Sequence, residues 1–139
     1  MKFIGRTSNG DLFAQTFSNP FNVYIGDPYK LAFKNFIGVA FGGILFSQNP
    51  TIAVVDRGEN TVLSFNTGTI IAALITGPDN STDPSILKQR LRPQELTIVN
   101  IVDGLAVFEG LYINEAGYPY QITFDISSPV SYYTMIFIF

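Results

Sequence analysis

The stretch from Asp103 to Phe124 constrains the fold more than any other part of the chain. Asp103-Gly104 is a pair that tolerates positive φ, so it makes a tight turn. Leu105-Ala106-Val107-Phe108 then alternates, with Leu105 and Val107 on one face and Ala106 and Phe108 on the other. A second corner follows at Glu115-Ala116-Gly117. Beyond it, Tyr120, Ile122 and Phe124 alternate with Gln121 and Thr123, the pattern of a half-buried strand. Turns this closely spaced leave no room for helices between them. They predict antiparallel strands joined by short corners.

The rest of the chain agrees. Ser85 to Leu91 has helical spacing for one turn before Pro93 stops it. Elsewhere short apolar blocks lie between clusters of Gly, Pro, Asn and Asp, which predicts an all-β sandwich or barrel. The predicted strands are 12–17, 21–25, 29–34, 51–55, 61–65, 69–75, 95–102, 105–108, 119–126 and 131–138. In 29–34, Tyr29, Leu31 and Phe33 share a face. Two segments are irregular: 36–50, apolar and rich in glycine, and 76–93, polar and too long for a hairpin turn.

Composition narrows the function. A length of 139 residues suits one domain with a sizeable core. Hydrophobic residues make up 47% and charged residues 14%, which excludes a disordered chain and implies apolar surface covered by a neighbour. A net charge of −3 leaves no general nucleic-acid footprint. Lys88, Arg90 and Arg92 do cluster, and read as a solvated loop. The apolar run Phe36 to Phe46 contains three glycines and is too short to span a bilayer, so no membrane span is expected. Lys2 is not followed by a signal-peptide core.

There is no cysteine and no histidine. Disulfides, thiol chemistry and thiolate metal sites are thereby excluded, together with the commonest general base and metal ligand. A serine nucleophile would lack its base. Asp56 and Glu59 lie in a turn where solvation is expected. The chain therefore reads as a non-enzyme, with no cofactor and no metal. Asp79, Ser81 and Asp83 alternate so that their oxygens could be offered to calcium, but no bidentate Glu follows and the turn has no Gly. Asn80-Ser81-Thr82 is an N-glycosylation sequon in a polar loop, which makes Asn80 a candidate for a glycan. Gly38, Gly42 and Gly43 lack the Lys-Ser/Thr and the helix of a phosphate loop, and are expected to bend an apolar loop across one end of the fold.

Several segments, in order, resemble the filamin-type, Ig-like repeats of large extracellular surface proteins: bacterial adhesin-like, fibrocystin-like and mastigoneme-like. Gly26-Asp27-Pro28-Tyr29-Lys30-Leu31-Ala32-Phe33 resembles a G-x-P-x-x-L-x-F opening. Gly42 to Pro50 is similar to a G-G-x-x-F-x-x-Q-P stretch. Ile52 to Asn60 resembles an apolar strand ending in Asp and a Gly-Asn turn. Ile98 to Ile122 resembles the repeat's closing T-x-x-x-G-x-A-x-F-x-x-L-x-I-x-x-A-G-x-x-Y-x-L. The family usually has Gly-Gly-Asn where this chain has Arg57-Gly58-Glu59-Asn60, and the 76–93 insertion is long.

The resemblance implies an all-β, antiparallel Ig-like β-sandwich of about seven to nine strands. It divides the chain into a lead-in strand or tail of a preceding repeat at 1–17, an Ig-like domain at 18–126 and a terminal strand at 127–139. Ser18 to Tyr24 echoes Ser127 to Tyr133, so 127–139 could open a next repeat or be exchanged. Gly104, Gly117 and Tyr120 are the expected structural corner, the tyrosine hydroxyl bonding to backbone. Tyr132, Tyr133, Ile136 and Ile138 are candidates for an assembly strand, too apolar to stand free in water. The implied function is a structural and interaction module of an extracellular filament or adhesin, its partners other repeats or identical subunits. A capsid, decoration or tail subunit of a virus or phage is the alternative. A carbohydrate-binding β-sandwich, with exposed tyrosines stacking on sugar, is a third.

Overall fold

The computed structural model describes residues 1–6, 8–10, 12–127 and 134–138. Tyr132 and Tyr133 of the expected assembly strand lie outside them. In chain order the strands are β1 (Lys2–Arg6), β2 (Leu12–Phe17), β3 (Lys30–Asn35), β4 (Thr51–Val55) and β5 (Thr69–Thr76). Helix α1 (Pro84–Arg90) follows, then β6 (Leu91–Arg92), a 3₁₀ turn (Gln94–Leu96), β7 (Ile98–Asn100) and β8 (Leu105–Val107). The last are β9 (Tyr112–Ile113), β10 (Gln121–Ser127) and β11 (Thr134–Ile138), the latter containing Ile136 and Ile138.

The described residues are mostly β, with antiparallel sheets, one short helix and no closed barrel. A four-stranded sheet has the order β11-β10-β5-β7 and a three-stranded sheet the order β3-β4-β8. Two further pairs stand apart, β1-β2 and β6-β9. The strands outnumber the seven to nine expected because short pieces such as β6 and β9, two residues each, pair locally between the longer ones.

The two larger sheets share one core. Phe124 of β10 meets Phe33 of β3 edge-on at 5.5 Å and Phe108, just beyond β8, at 5.2 Å. Ile52 and Val54 of β4, Ile70 and Ala72 of β5, and Ile122 and Ile126 of β10 join the same cluster. Apolar residues at every second position of a strand face one way, so each sheet brings a continuous oily face to that core. Strand β4 is central and reads Ile-Ala-Val-Val without a break, as a strand covered on both faces must. Thr123 is also buried, so β10 is not the half-exposed strand that its alternation predicts; it runs between β5 and β11.

Two predicted strands do not form. Residues 21–25 lie between Pro20 and Pro28, and no strand pairs with them among the described residues. In 61–65, Thr61 makes one bridge to Val55, and then Phe65 N–H donates to Val62 O at 3.0 Å, turning the chain away. The predicted 95–102 strand is cut to β7 by the 3₁₀ turn, where Thr97 N–H donates to Gln94 O. Within 76–93, α1 forms because Asp83 caps it, its carboxylate accepting from Ser85 N at 2.9 Å, and Pro84 supplies a φ already suited to a first turn. Leu87 points from the helix into the core.

Candidate functional site

The loop between β3 and β4 and the corner between β9 and β10 meet at one end of the molecule. The loop folds back on itself, with Ser47 N–H donating to Val39 O and Gln48 N–H to Ile37 O, both at 3.2 Å. It is then stitched to β9, which leads into the corner, and to the residue before it: Gly43 N–H donates to Ile113 O at 2.7 Å and Phe46 N–H to Leu111 O at 2.9 Å. The backbones approach so closely that a Cβ on Gly42 would stand 2.8 Å from Ala116 N. Glycine is therefore required at 42 for contact, and at 43 for its φ of +76°.

The corner is held from inside. Tyr120 is buried, and its hydroxyl donates to Glu115 O at 2.9 Å. Burial pushes the phenol pKa up, with Arg90 opposing. Gly117 is packed against the Pro78 ring, leaving no room for a side chain. Gly104 serves the other corner at φ +72°, with Val62 O 2.5 Å from where its Cβ would be.

Arg90 ties the 76–93 segment to this corner. It is only 9% exposed, not the solvated residue that its neighbours Lys88 and Arg92 suggest. Asp79 accepts from both terminal nitrogens at 3.0 and 3.4 Å, and Glu115 Oε2 lies 2.9 Å from Nε. The hydrogen-bonded Asp79 carboxylate holds the guanidinium pKa above its ordinary value, and Arg90 in turn lowers that of Asp79. Two partly exposed carboxylates thus compensate one buried cation. The sequence carried a signal: Arg90 lies three residues after Leu87, on the same helix face.

Between loop and corner opens a cleft of about 360 Å³, lined by Phe41, Ala116 and Tyr118 among others. Tyr118 is 77% exposed, and Phe41 of the facing loop is exposed too, as are Ile44 and Leu45 further along that loop. The polar groups at the cleft are already engaged, Glu115 with Arg90 and the Tyr120 hydroxyl with backbone. What the cleft offers an incoming group is mainly aromatic and aliphatic surface.

Asp56, which its place in a turn assigns to solvent, is in fact 4% exposed. Its carboxylate accepts from Gly26 N and Gly58 N at 2.8 Å, Asn60 N at 2.9 Å and Asn60 Nδ2 at 3.1 Å. These donors, with Gly26 N–H first, lower its pKa to about 2. The side chain closes the turn after β4 and fastens the incoming 18–29 segment. Asp followed by Gly at the second position and Asn at the fourth was the available sign of such a turn. Glu59 remains exposed and pairs with Lys30.

Asn80 sits exposed in a turn, at φ +55°. Of the three oxygen donors around it, Asp79 is bound to Arg90 and Asp83 caps α1. Among the described residues no cluster of carboxylates could hold a metal ion. No described helix is long and apolar enough to cross a membrane.

A second apolar surface lies at the other end of the sequence. Phe17, Phe21, Val23, Tyr24, Ile25 and Tyr29 are all exposed, Val23 at 86% and Tyr24 at 80%. Arg57 covers the Tyr29 ring at 4.7 Å. No protein-family model, curated protein or solved structure matches this chain.

Proposed function

We propose that the chain is a structural and interaction module, an Ig-like β-sandwich unit of an extracellular filament or adhesin-type surface assembly. The observation that carries this reading is the exposed apolar run from Phe17 to Tyr29. A soluble domain gains by burying large apolar side chains, and a contiguous exposed set of them marks a contact surface. The shared core of the two larger sheets supports the sandwich and a role as a stiff spacer. The order of motifs resembling filamin-type repeats supports the placement in a surface assembly. The exposed turn at Asn80 would accept a glycan in that setting.

Sedimentation velocity over a range of concentrations tests the reading. Self-association that grows with concentration is the expected result. A lone monomer up to about 0.1 mM, weaker than a micromolar contact by any measure, would remove it. Electron microscopy of the associated species separates open filaments from the closed shells of the virion alternative. Mass spectrometry of chain made in a eukaryotic secretory host is expected to find sugar on Asn80.

A further inference from the structure

Strand β5 loses one of its neighbours partway along. Strand β7 pairs with it only from Thr69 to Ile71. One step further, Ala72 N–H still donates to Thr97 O at 2.8 Å. The return bond is missing, because Thr97 N–H enters the 3₁₀ turn and donates to Gln94 O. Ala72 C=O is left without the donor that a regular ladder supplies. The register of β5 with β10 stays regular through Leu74. Alternate residues of a strand send their backbone groups to the same side, so Leu74 N–H faces the way that Ala72 N–H does. No described group accepts from it there, although Leu74 is only 6% exposed. A buried backbone donor without a partner is rare in a folded protein and calls for an explanation.

Ala72 and Leu74 line a notch of about 290 Å³ between this edge and residues 84–98. Its apolar lining comes from Ile71 and Ile98, partners across β5 and β7 whose side chains share a face, and from Pro84 and Leu91. Lys88 lines it as well, is exposed, and pairs with no carboxylate among the described residues. The other cations of its cluster are engaged, Arg90 with Asp79 and Arg92 with Gln89 O. Gln94 fixes the far side of the notch, its side-chain amide donating to Lys88 O and to Leu91 O.

These groups select an occupant. A donor at Leu74 beside an unpaired cation suits a carboxylate. An acceptor at Ala72, two residues back on the same edge, suits an N–H. One residue lying parallel to a strand edge meets such a C=O and N–H with its own N–H and C=O. Aliphatic walls suit an aliphatic side chain. The last residue of an apolar peptide carries all three features. The volume stands at the lower bound for ligand pockets, roughly 300 Å³, which suits the end of a chain more than a strand passing through.

We propose that this notch binds the carboxyl-terminal residue of an apolar peptide. Its N–H donates to Ala72 C=O, its carboxylate accepts from Leu74 N–H and faces the Lys88 ammonium, and its side chain packs against Ile71 and Ile98. The mode is strand addition at a sheet edge joined to capture of a chain terminus. None of residues 17–29, the surface that carries the assembly reading, lines the notch, so the two readings stand or fall separately.

The test is a nuclear magnetic resonance titration of the isotope-labelled full-length chain with acetyl-Ala-Ala-Leu, its carboxyl end free. Shifts centred on Ala72, Leu74 and Ile98 are expected to saturate below about 10 mM, and exchange of the Leu74 amide to slow on binding. The same peptide with its carboxyl end amidated is expected to bind at least tenfold more weakly, the factor brought by losing one hydrogen bond to a charged group. Lys88→Glu, at an exposed position, is expected to weaken the free-ended peptide by as much and to leave the amidated one unchanged. Octanoate has the carboxylate and the apolar tail without the N–H, and is expected to bind several-fold more weakly than the peptide.

Shifts that do not saturate, or that centre elsewhere, would overturn the site. An amidated peptide that binds as well as the free one would overturn capture of the carboxylate. Octanoate binding as tightly as the peptide would do the same for the peptide, because Ala72 C=O would then play no part.

Discussion

At the scale of single residues, the groups that matter most are charges or glycines that the fold has surrounded. Asp56 is lowered to about 2 because the folded chain supplies donors that the unfolded chain does not. The sign of the linkage follows. A carboxylate with a depressed folded pKa adds stability that is full above its unfolded value, about 3.9, and is lost as pH falls toward 2. Asp56→Asn should therefore flatten the fall in stability between about pH 4 and pH 2, the slopes differing by at most one proton. Asp79 and Asp83 are lowered too, so part of the slope should remain. Urea melts at pH 7, 4 and 2.5 measure it; parallel wild-type and variant curves would mean that the Asp56 contacts are not made. Gly117 and Gly104 answer a different question. The atoms nearest a Cβ at 117 belong to the Pro78 ring, whereas at 104 the nearest are backbone, at a φ that favours glycine. Gly117→Ala is expected to cost about 1–3 kcal/mol by crowding. Pro78→Ala in the same chain should restore much of that loss, and should restore none of the loss from Gly104→Ala. Thermal melts of the double-mutant cycle read this directly.

At the scale of elements, the corner between β9 and β10 depends on Tyr120, whose buried ring carries a hydroxyl to Glu115 O. Tyr120→Phe keeps the ring and deletes the bond, and is expected to cost about 1 kcal/mol. Faster amide exchange at 115–118, with β4 unchanged, would place the loss in the corner; a uniform change would argue against it. This corner was also where the sequence was most legible. Asp-Gly, the alternation after it and a tyrosine past the second turn are all local signals, and β4, β5, β8 and the body of β10 are legible for the same reason. The failures share a cause as well. Residues 21–25 alternate like a strand, but pairing is decided by a neighbour that the sequence does not name, and two flanking prolines remove donors. Thr61 to Phe65 looks the same locally and turns away after one bridge. Arg90 and Asp56 look solvated in the sequence because charge predicts exposure, whereas each finds a partner distant in sequence: Glu115 for one, Gly26 for the other. The cleft was not legible at all. It is made by two glycine-containing loops, 36–50 and 114–120, that are far apart in sequence and meet only in the folded chain.

At the scale of the whole molecule, one ring joins what the topology keeps apart. Among the described residues no strand of one larger sheet pairs with a strand of the other, and Phe124 of β10 is fully buried against Phe33 of β3 and Phe108 beyond β8. Truncating such a ring removes its burial and opens a cavity on both sheets at once, a cost of about 3–5 kcal/mol. That is a large share of the roughly 5–15 kcal/mol by which a domain is stable. Phe124→Ala should therefore lower the urea midpoint strongly and keep a single transition, with amides in β4 and β5 losing protection together. The β1-β2 hairpin, which no third strand joins among the described residues, should exchange quickly in wild type and variant alike when the chain is dilute. If β5 and β10 loosened while β4 kept its protection, the sheets would be folding as separate units. The stiffness that a spacer needs would then have to come from contacts with neighbours, and not from the core that Phe124 completes.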